Sequence, residues 1–306
     1  MEGGHGIPFR TWNPVEREWI LTVPSRAPLA AHTDLRAGKN SECPFCDVFA
    51  PDDADQIRVV RSKHPMVPTI TGPEHPRVNQ HSVLIYAKDH DQRLGTMSVG
   101  RCRDLLVQIA LLSDQLMTNS NIEAVCATEA VGGHFGVTVG HPHAQVIGLE
   151  FEPRNISMDD ADGCRLCAGR SGRHTVRELP SAVAEVPPWA RLPFETVIYT
   201  RRHAPSLGAT NSDELADIAQ LIWEILGAYR SQTQGEVQYL LAVMQAPRSR
   251  LSTHHLRVEL LPLHKPDGSL KRPGVLETMF GVYINPTRAS ESAAHLRLLL
   301  NEGADR

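Results

Sequence analysis

The chain has 306 residues, 41% of them apolar and 22% charged, a composition that can bury a sizeable core and does not suit a disordered segment. Thirty-one Lys and Arg stand against 35 Asp and Glu, a net charge of −4, which argues against a nucleic-acid binder that relies on bulk positive charge. The best apolar runs, LLVQIALL and YLLAVM, fall short of the roughly 18 residues a membrane-spanning helix needs, and the opening MEGGHGIPFR has no apolar signal core. A cytoplasmic globular protein of about two domains is expected, at roughly 150 residues per domain.

In chain order, EWILTVPSR reads as a strand that ends at Arg26. Cys43-Pro44-Phe45-Cys46 follows, the first of two CxxC pairs. SVLIYAKDHDQRL reads as a strand running toward His90, and RCRDLLVQIALLSDQLM carries apolar residues at helical spacing. FGVTVGHPHAQVIGLEF is β-rich and contains His141. The order then recurs. Cys164-Arg165-Leu166-Cys167 is followed by a strand, FETVIYTRRHAPSL, with His203. A helix, NSDELADIAQLIWEILGAYR, has Asn211 or Ser212 as N-cap and acidic residues in its first turn. The strand LSTHHLRVELLP then carries His255. Both halves therefore run CxxC, strand with His, helix, strand with His, at similar intervals. Cys102 and Cys126 lie in apolar stretches and are expected to be small core residues.

A CxxC pair without a secretion signal is metal-binding or redox-active. A redox pair opens a helix after a strand, and neither pair here has that setting, so metal is favoured. Cys43, Cys46, His90 and His141 form one Cys2His2 set, and Cys164, Cys167, His203 and His255 form another. Two thiolates and two imidazoles suit tetrahedral zinc, and four protein ligands leave no open position, so both sites are expected to be structural.

The sharpest segment is Gly140-His141-Pro142-His143-Ala144-Gln145-Val146-Ile147. Residues two apart on a strand share a face, so His141, His143 and Gln145 are expected to project together. Pro142 places the stretch at a strand start or a sheet edge. With His141 on a metal, His143 sits beside a rigid anchor, and Gln145 can donate to an oxygen of whatever His143 attacks. The small-residue run from Gly132 to Thr138, with Gly136 inside it, lets backbone amides approach a phosphate closely.

HPHAQ after a Gly-rich run and after CxxC…His resembles the galactose-1-phosphate uridylyltransferase family of the histidine-triad superfamily. The resemblance runs from Glu18-Trp19-Ile20-Leu21 to Tyr283-Ile284-Asn285-Pro286. It implies an α+β fold of two tandem histidine-triad-like halves, 1–155 and 156–306, each an antiparallel sheet with packed helices. It also implies transfer of a nucleoside monophosphate between a nucleotide sugar and a sugar 1-phosphate by double displacement. His143 is then the nucleophile, Gln145 steadies the phosphoryl oxygens, and Cys43, Cys46, His90 and His141 hold zinc. Arg26 is similar to a phosphate-contacting arginine, and Thr138 and Gly136 are further candidates for the phosphate site. A homodimer with the active site at the subunit interface is implied as well.

The chain also departs from that pattern. Where the first half has His141-Pro142-His143, the second has His255-Leu256-Arg257, so only the first half is expected to form a covalent intermediate. Arg257 reads as an internal partner for a substrate phosphate or, more simply, as a salt-bridged strand residue; His254 is expected to face solvent or a partner. Ala130 and Leu29 stand where the family often has Asn and a second arginine. The segment Leu276–Asn285 resembles the sugar-facing segment of phosphorylase-like members, with Glu277 placed to accept bonds from sugar hydroxyls. The alternatives are therefore a nucleotide-sugar phosphorylase using inorganic phosphate, and a non-catalytic zinc-stabilised binding module. Neither nucleic acid nor a membrane is expected as a partner.

Overall fold

The computed structural model describes residues 8–26, 43–49, 56–67, 70–72, 75–78, 80–135, 137–156, 163–168, 172, 174–233 and 237–304. In chain order they form β1 (Phe9–Asn13), β2 (Glu18–Thr22), β3 (Arg58–Arg61), β4 (Ile70–Gly72), β5 (His75–Val78), β6 (His81–Ile85), α1 (Val99–Met117), β7 (Ala124–Val131), β8 (His143–Leu149) and α2 (Arg165–Ala168). There follow β9 (Thr175–Glu178), β10 (Ala182–Glu185), β11 (Thr196–Thr200), α3 (Ser212–Gln232), β12 (Tyr239–Met244), β13 (Arg257–Pro262), α4 (Val275–Phe280) and α5 (Ala289–Ala304).

Local sequence accounts for the long elements. The α3 helix starts at a reciprocal cap: the Asn211 side chain accepts from the Asp213 and Glu214 amides, and Glu214 accepts from the Asn211 amide at 2.9 Å. The expected N-cap at Asn211 and the acidic first turn are both present. In α1 the stripe Cys102, Leu105, Leu106, Ile109 and Leu116 is buried at helical spacing, and the Ser98 hydroxyl caps the Arg101 amide.

Nine strands form one antiparallel sheet in the order β3-β6-β8-β7-β12-β13-β11-β10-β9. The first four come from the first half of the chain and the other five from the second. The two sets meet where β7 pairs antiparallel with β12, from Tyr239 opposite Val131 to Met244 opposite Cys126. Read outward from that seam, β8 corresponds to β13, β6 to β11 and β3 to β10. The two halves are thus joined by main-chain hydrogen bonds in one sheet, where the sequence suggests a separate sheet for each.

Both long helices and α5 cover one face of this sheet. The main core contains Leu84, Ala144 and Val146 of the first half and Ile198, Leu241, Val258 and Leu260 of the second, with α1 and α3 packed on them. Cys102 is part of it, and Cys126 packs half-buried in a smaller cluster with Ile147 and Leu149. The opposite face carries alternate residues: Val83, Ile85, His143 and Gln145 in the first half, and Val197, Tyr199, Arg257 and Glu259 in the second. No helix among the described residues is long and apolar enough to cross a membrane.

A core shared across the seam makes the halves cooperative. Leu84→Ala in β6 and Ile222→Ala in α3 each remove a fully buried side chain and are expected to cost about 2–5 kcal/mol. Urea unfolding followed by fluorescence and by circular dichroism should show one coincident transition in each variant.

Candidate active site and metal centres

Ile85 pairs with His143 at the point where β8 begins, so the chain reaches the sheet edge-on through His141 and Pro142. His141 therefore lies just before the strand, and the Phe45 ring packs against both it and His143. His141 Nδ1 is 3.8 Å from Cys43 Sγ and 3.5 Å from Cys46 Sγ, and Cys46 Sγ is 3.5 Å from His90 Nδ1. In the second half Cys164 Sγ is 3.7 Å from His255 Nδ1, Cys167 Sγ is 3.3 Å from it, and Cys167 Sγ is 3.6 Å from His203 Nδ1. The same three contacts recur in each half.

In each set the four ligand atoms lie within 4.8 Å of one another. A tetrahedral cation of zinc's size, about 2.3 Å from sulfur and 2.0 Å from nitrogen, sets sulfur and nitrogen about 3.5 Å apart. Both sets fit a metal ion. The remaining ring nitrogens of the last histidines are anchored, His141 Nε2 by the Ala87 carbonyl at 2.8 Å and His255 Nε2 by Thr200 Oγ1 at 3.1 Å. Burial and then the neighbouring Cys43 push the Cys46 thiol up to about 11. A cation held between the two sulfurs reverses that balance and takes the thiolate.

His143 is half-buried and lines a small cavity with Arg93, Glu129, Ala130, Gly132 and Pro142. Its Nδ1 lies 2.8 Å from the His141 carbonyl oxygen. A carbonyl can only accept, so the ring proton sits on Nδ1 and the lone pair sits on Nε2. Burial lowers the His143 imidazole below its ordinary value and the Arg93 charge adds to this, with the Nδ1 bond opposing them. The edge of Phe45, between the two cysteines, packs on the ring with centroids 5.3 Å apart. The arrangement presents a neutral, oriented nitrogen nucleophile beside a cation. Gly132 opens the cavity loop at φ +117°, where an added Cβ would strike the Gln238 side chain at 2.4 Å.

No family model matches the chain. A galactose-1-phosphate uridylyltransferase of Thermotoga maritima is 24% identical over 315 residues, covering 94% of this chain and 96% of the relative. A solved uridylyltransferase structure superposes with a TM-score of 0.79 at 22% identity, covering 97% and 99% of the two chains. An ADP-glucose phosphorylase from Arabidopsis thaliana superposes with a TM-score of 0.69 at 21% identity, covering 95% and 98%. Over nearly its whole length the chain is similar to galactose-1-phosphate uridylyltransferases.

Against that family's pattern, the structure places the remaining predicted residues unevenly. Gln145 lies two residues beyond His143 on the same face, with its Oε1 2.8 Å from His81 Nε2. Arg26 is half-buried, donates to the His64 carbonyl at 3.3 Å, and is close enough for its charge to act on His81. Val137 and Val139 line the cavity, whereas Thr138 between them does not. Gly136 and Leu29 lie outside the described residues. Ala130, where the family often has Asn, lines the cavity. Glu277 is not brought to it: the carboxylate is buried, paired with Lys271, and accepts from the Gly274 and Ile284 amides as the cap of α4.

In the second half Arg257 stands at the position that His143 holds in the first. Arg257 Nε donates to Glu259 Oε1 at 2.8 Å, and Arg191 NH2 joins Glu259 at 2.8 Å to Glu195 at 2.6 Å. Burial works against the Glu259 carboxylate, yet Arg257 and Arg191 hold it below the ordinary value. Arg257 is therefore a salt-bridged strand residue. His254 is fully buried beside it, 3.4 Å from its guanidinium, and not turned to solvent: main-chain bonds from Arg250 draw the loop inward.

Sequence reading missed Arg93, which His90 and Gln92 carbonyls hold at the cavity. It also missed Glu129, a β7 carboxylate on the helix side of the sheet that accepts from the Tyr86 and Tyr239 hydroxyls. Burial pushes its carboxyl up to about 7, against the pull of those hydroxyls.

Two predictions follow from this geometry. Metal analysis of the purified protein should find two thiophilic ions per chain, with Cys46→Ser and Cys167→Ser each removing one, and chelation should lower the melting temperature. For Glu129 the folded state binds more protons than the unfolded chain between pH 4.5 and about 7, so this group's contribution to stability is full at low pH and is lost as pH rises through that window. Urea denaturation of Glu129→Gln at pH 5 and pH 7 should show a smaller difference than the parent, with a limit of about 1.4 kcal/mol per pH unit on the effect.

Proposed function

We propose that the protein is a hexose-1-phosphate nucleotidylyltransferase of the uridylyltransferase type. It moves a nucleoside monophosphate between a nucleotide sugar and a sugar 1-phosphate through a nucleotidyl-His143 intermediate. The observation that carries this reading is the bond from His143 Nδ1 to the His141 carbonyl, which leaves the Nε2 lone pair for attack. The names of the uridylyltransferase relatives support it.

In the first step His143 Nε2 bonds to the α-phosphorus of the nucleotide sugar. The bond from that phosphorus to the bridging oxygen breaks, and sugar 1-phosphate leaves. A phosphate oxygen of a second sugar 1-phosphate then attacks the same phosphorus, breaking the P–N bond and restoring the neutral ring. Gln145 and Arg93 meet the charge on the non-bridging oxygens, and Arg26 binds substrate phosphate. Zinc is the ion we assign to both Cys2His2 sets, where it braces His141 and His255 without an open coordination position. With His141 so held, its carbonyl stays in place to orient His143.

A second reading is a nucleotide-sugar phosphorylase that discharges the same intermediate with inorganic phosphate. It is favoured by the superposition on a protein titled as an ADP-glucose phosphorylase and by Ala130 in the cavity wall. We assign a cytoplasmic location and a homodimer to the protein. The exposed apolar side chains of Val275, Met279, Phe280, Val282 and Ile284 support the dimer, since they form a run too apolar to be left in water.

Intact-protein mass after brief mixing with UDP-glucose, and separately with ADP-glucose and GDP-sugars, tests the reading. One donor should add the mass of one nucleoside monophosphate, with no adduct in His143→Ala. Discharge of the adduct by sugar 1-phosphate selects the transferase, and discharge by inorganic phosphate alone selects the phosphorylase. Absence of any adduct sinks the covalent mechanism.

A further inference from the structure

We propose that His81 is a positioning residue, one that dictates which way the Gln145 carboxamide faces. The proposal deepens the nucleotidyl-transfer reading and rests on it.

A carboxamide has an oxygen end and a nitrogen end of nearly equal shape, so an isolated Gln on a strand presents either. At Gln145 the choice is forced by a chain of three groups. The Met66 amide lies 3.2 Å from His81 Nδ1, and a backbone N–H can only donate. Nδ1 must therefore carry the lone pair, and a neutral ring then carries its proton on Nε2. That proton points at Gln145 at 2.8 Å and needs an acceptor, so the Gln145 oxygen faces His81. The amide NH2 is left for the other side, as a donor on the face that His143 shares. Burial lowers the His81 imidazole below its ordinary value, and the Arg26 charge adds to this against the Gln145 bond.

Strand register supplies the approach. Val83 is directly opposite Gln145 and His81 is opposite Ile147, so His81 and Gln145 are diagonal neighbours on one face. The second half provides an internal control. There Val197 is opposite Glu259, and Glu195 occupies the place of His81 just ahead of β11. Glu195 is likewise tied to the Gln145 counterpart, through Arg191. Both halves hold this strand position from the same diagonal site. Only the first half does so with a neutral donor that leaves an NH2 to spare.

The test compares the rate of nucleotidyl-enzyme formation in the parent, His81→Asn, His81→Gln, Gln145→Ala and the Asn/Ala double variant. Asn at 81 keeps an acceptor for the Met66 amide and falls short of Gln145, whereas Gln at 81 reaches it with an NH2. His81→Asn is expected to slow adduct formation about 10- to 100-fold, with the donor KM moving less than about threefold, and His81→Gln to recover most of the rate. In the Gln145→Ala background His81→Asn should cost nothing further, because its effect runs through Gln145. Melting temperatures measured on the same samples should stay within a few degrees of the parent.

A His81→Asn rate equal to the parent's overturns the proposal. So does an equal loss in the Gln145→Ala background, or a loss that tracks the melting temperature and is not recovered by Gln, since either marks a structural role. A parent that forms no adduct with any donor overturns the functional reading itself, and the proposal with it.

Discussion

Everything in this molecule depends on the antiparallel pairing of β7 with β12. Those main-chain bonds turn two copies of one motif into a single sheet with a single core. Because the pairing is antiparallel and central, each half presents the same strand start, β8 or β13, at mirrored positions outside the seam. The histidines before those strands, His141 and His255, then meet their CxxC pairs in matching geometry. One register thus places both Cys2His2 sets.

In the first half one residue has two duties. His141 gives its ring to the metal set and its carbonyl to His143. A metal ion on the His141 ring would fix its carbonyl as an acceptor, and the His143 ring would inherit that rigidity. Pro142 between them removes an amide that would compete for the same space and stiffens the link. The cavity side is completed by a cation, Arg93, whose own position is set by carbonyls adjoining the ligand His90. The Cys2His2 set, His143 and Arg93 are therefore linked through the main chain next to the ligand histidines.

How much of this was legible depends on whether residue type or register carried the information. Cys and His pairs are sparse, and their spacing is local or repeated, so both ligand sets and His143 stood out. The α3 cap was equally visible, since Asn211 and Glu214 sit at fixed separation before an apolar run. The seam was not. AVCATEAV and YLLAVM are short apolar runs buried between neighbours, and nothing local says that one pairs with the other. His81 was hidden for the same reason: its partner is set by a diagonal across two strands. Glu277 carried a readable signal that was passed over, a Glu three residues after Gly274 at the head of a helix. Glu129 offered none, because its tyrosine partners come from β12 and from beyond β6.

The ion network in the second half also makes the division of labour hard to reverse. A step back toward symmetry would begin by placing an imidazole at position 257. That single change strips Glu259 of one of its two guanidiniums and leaves Arg191 to balance two carboxylates in a largely buried site. Useful intermediates would need positions 195, 257 and 259 to change together. The network works as a ratchet: once closed, it holds Arg257 in the place that an imidazole takes in the first half.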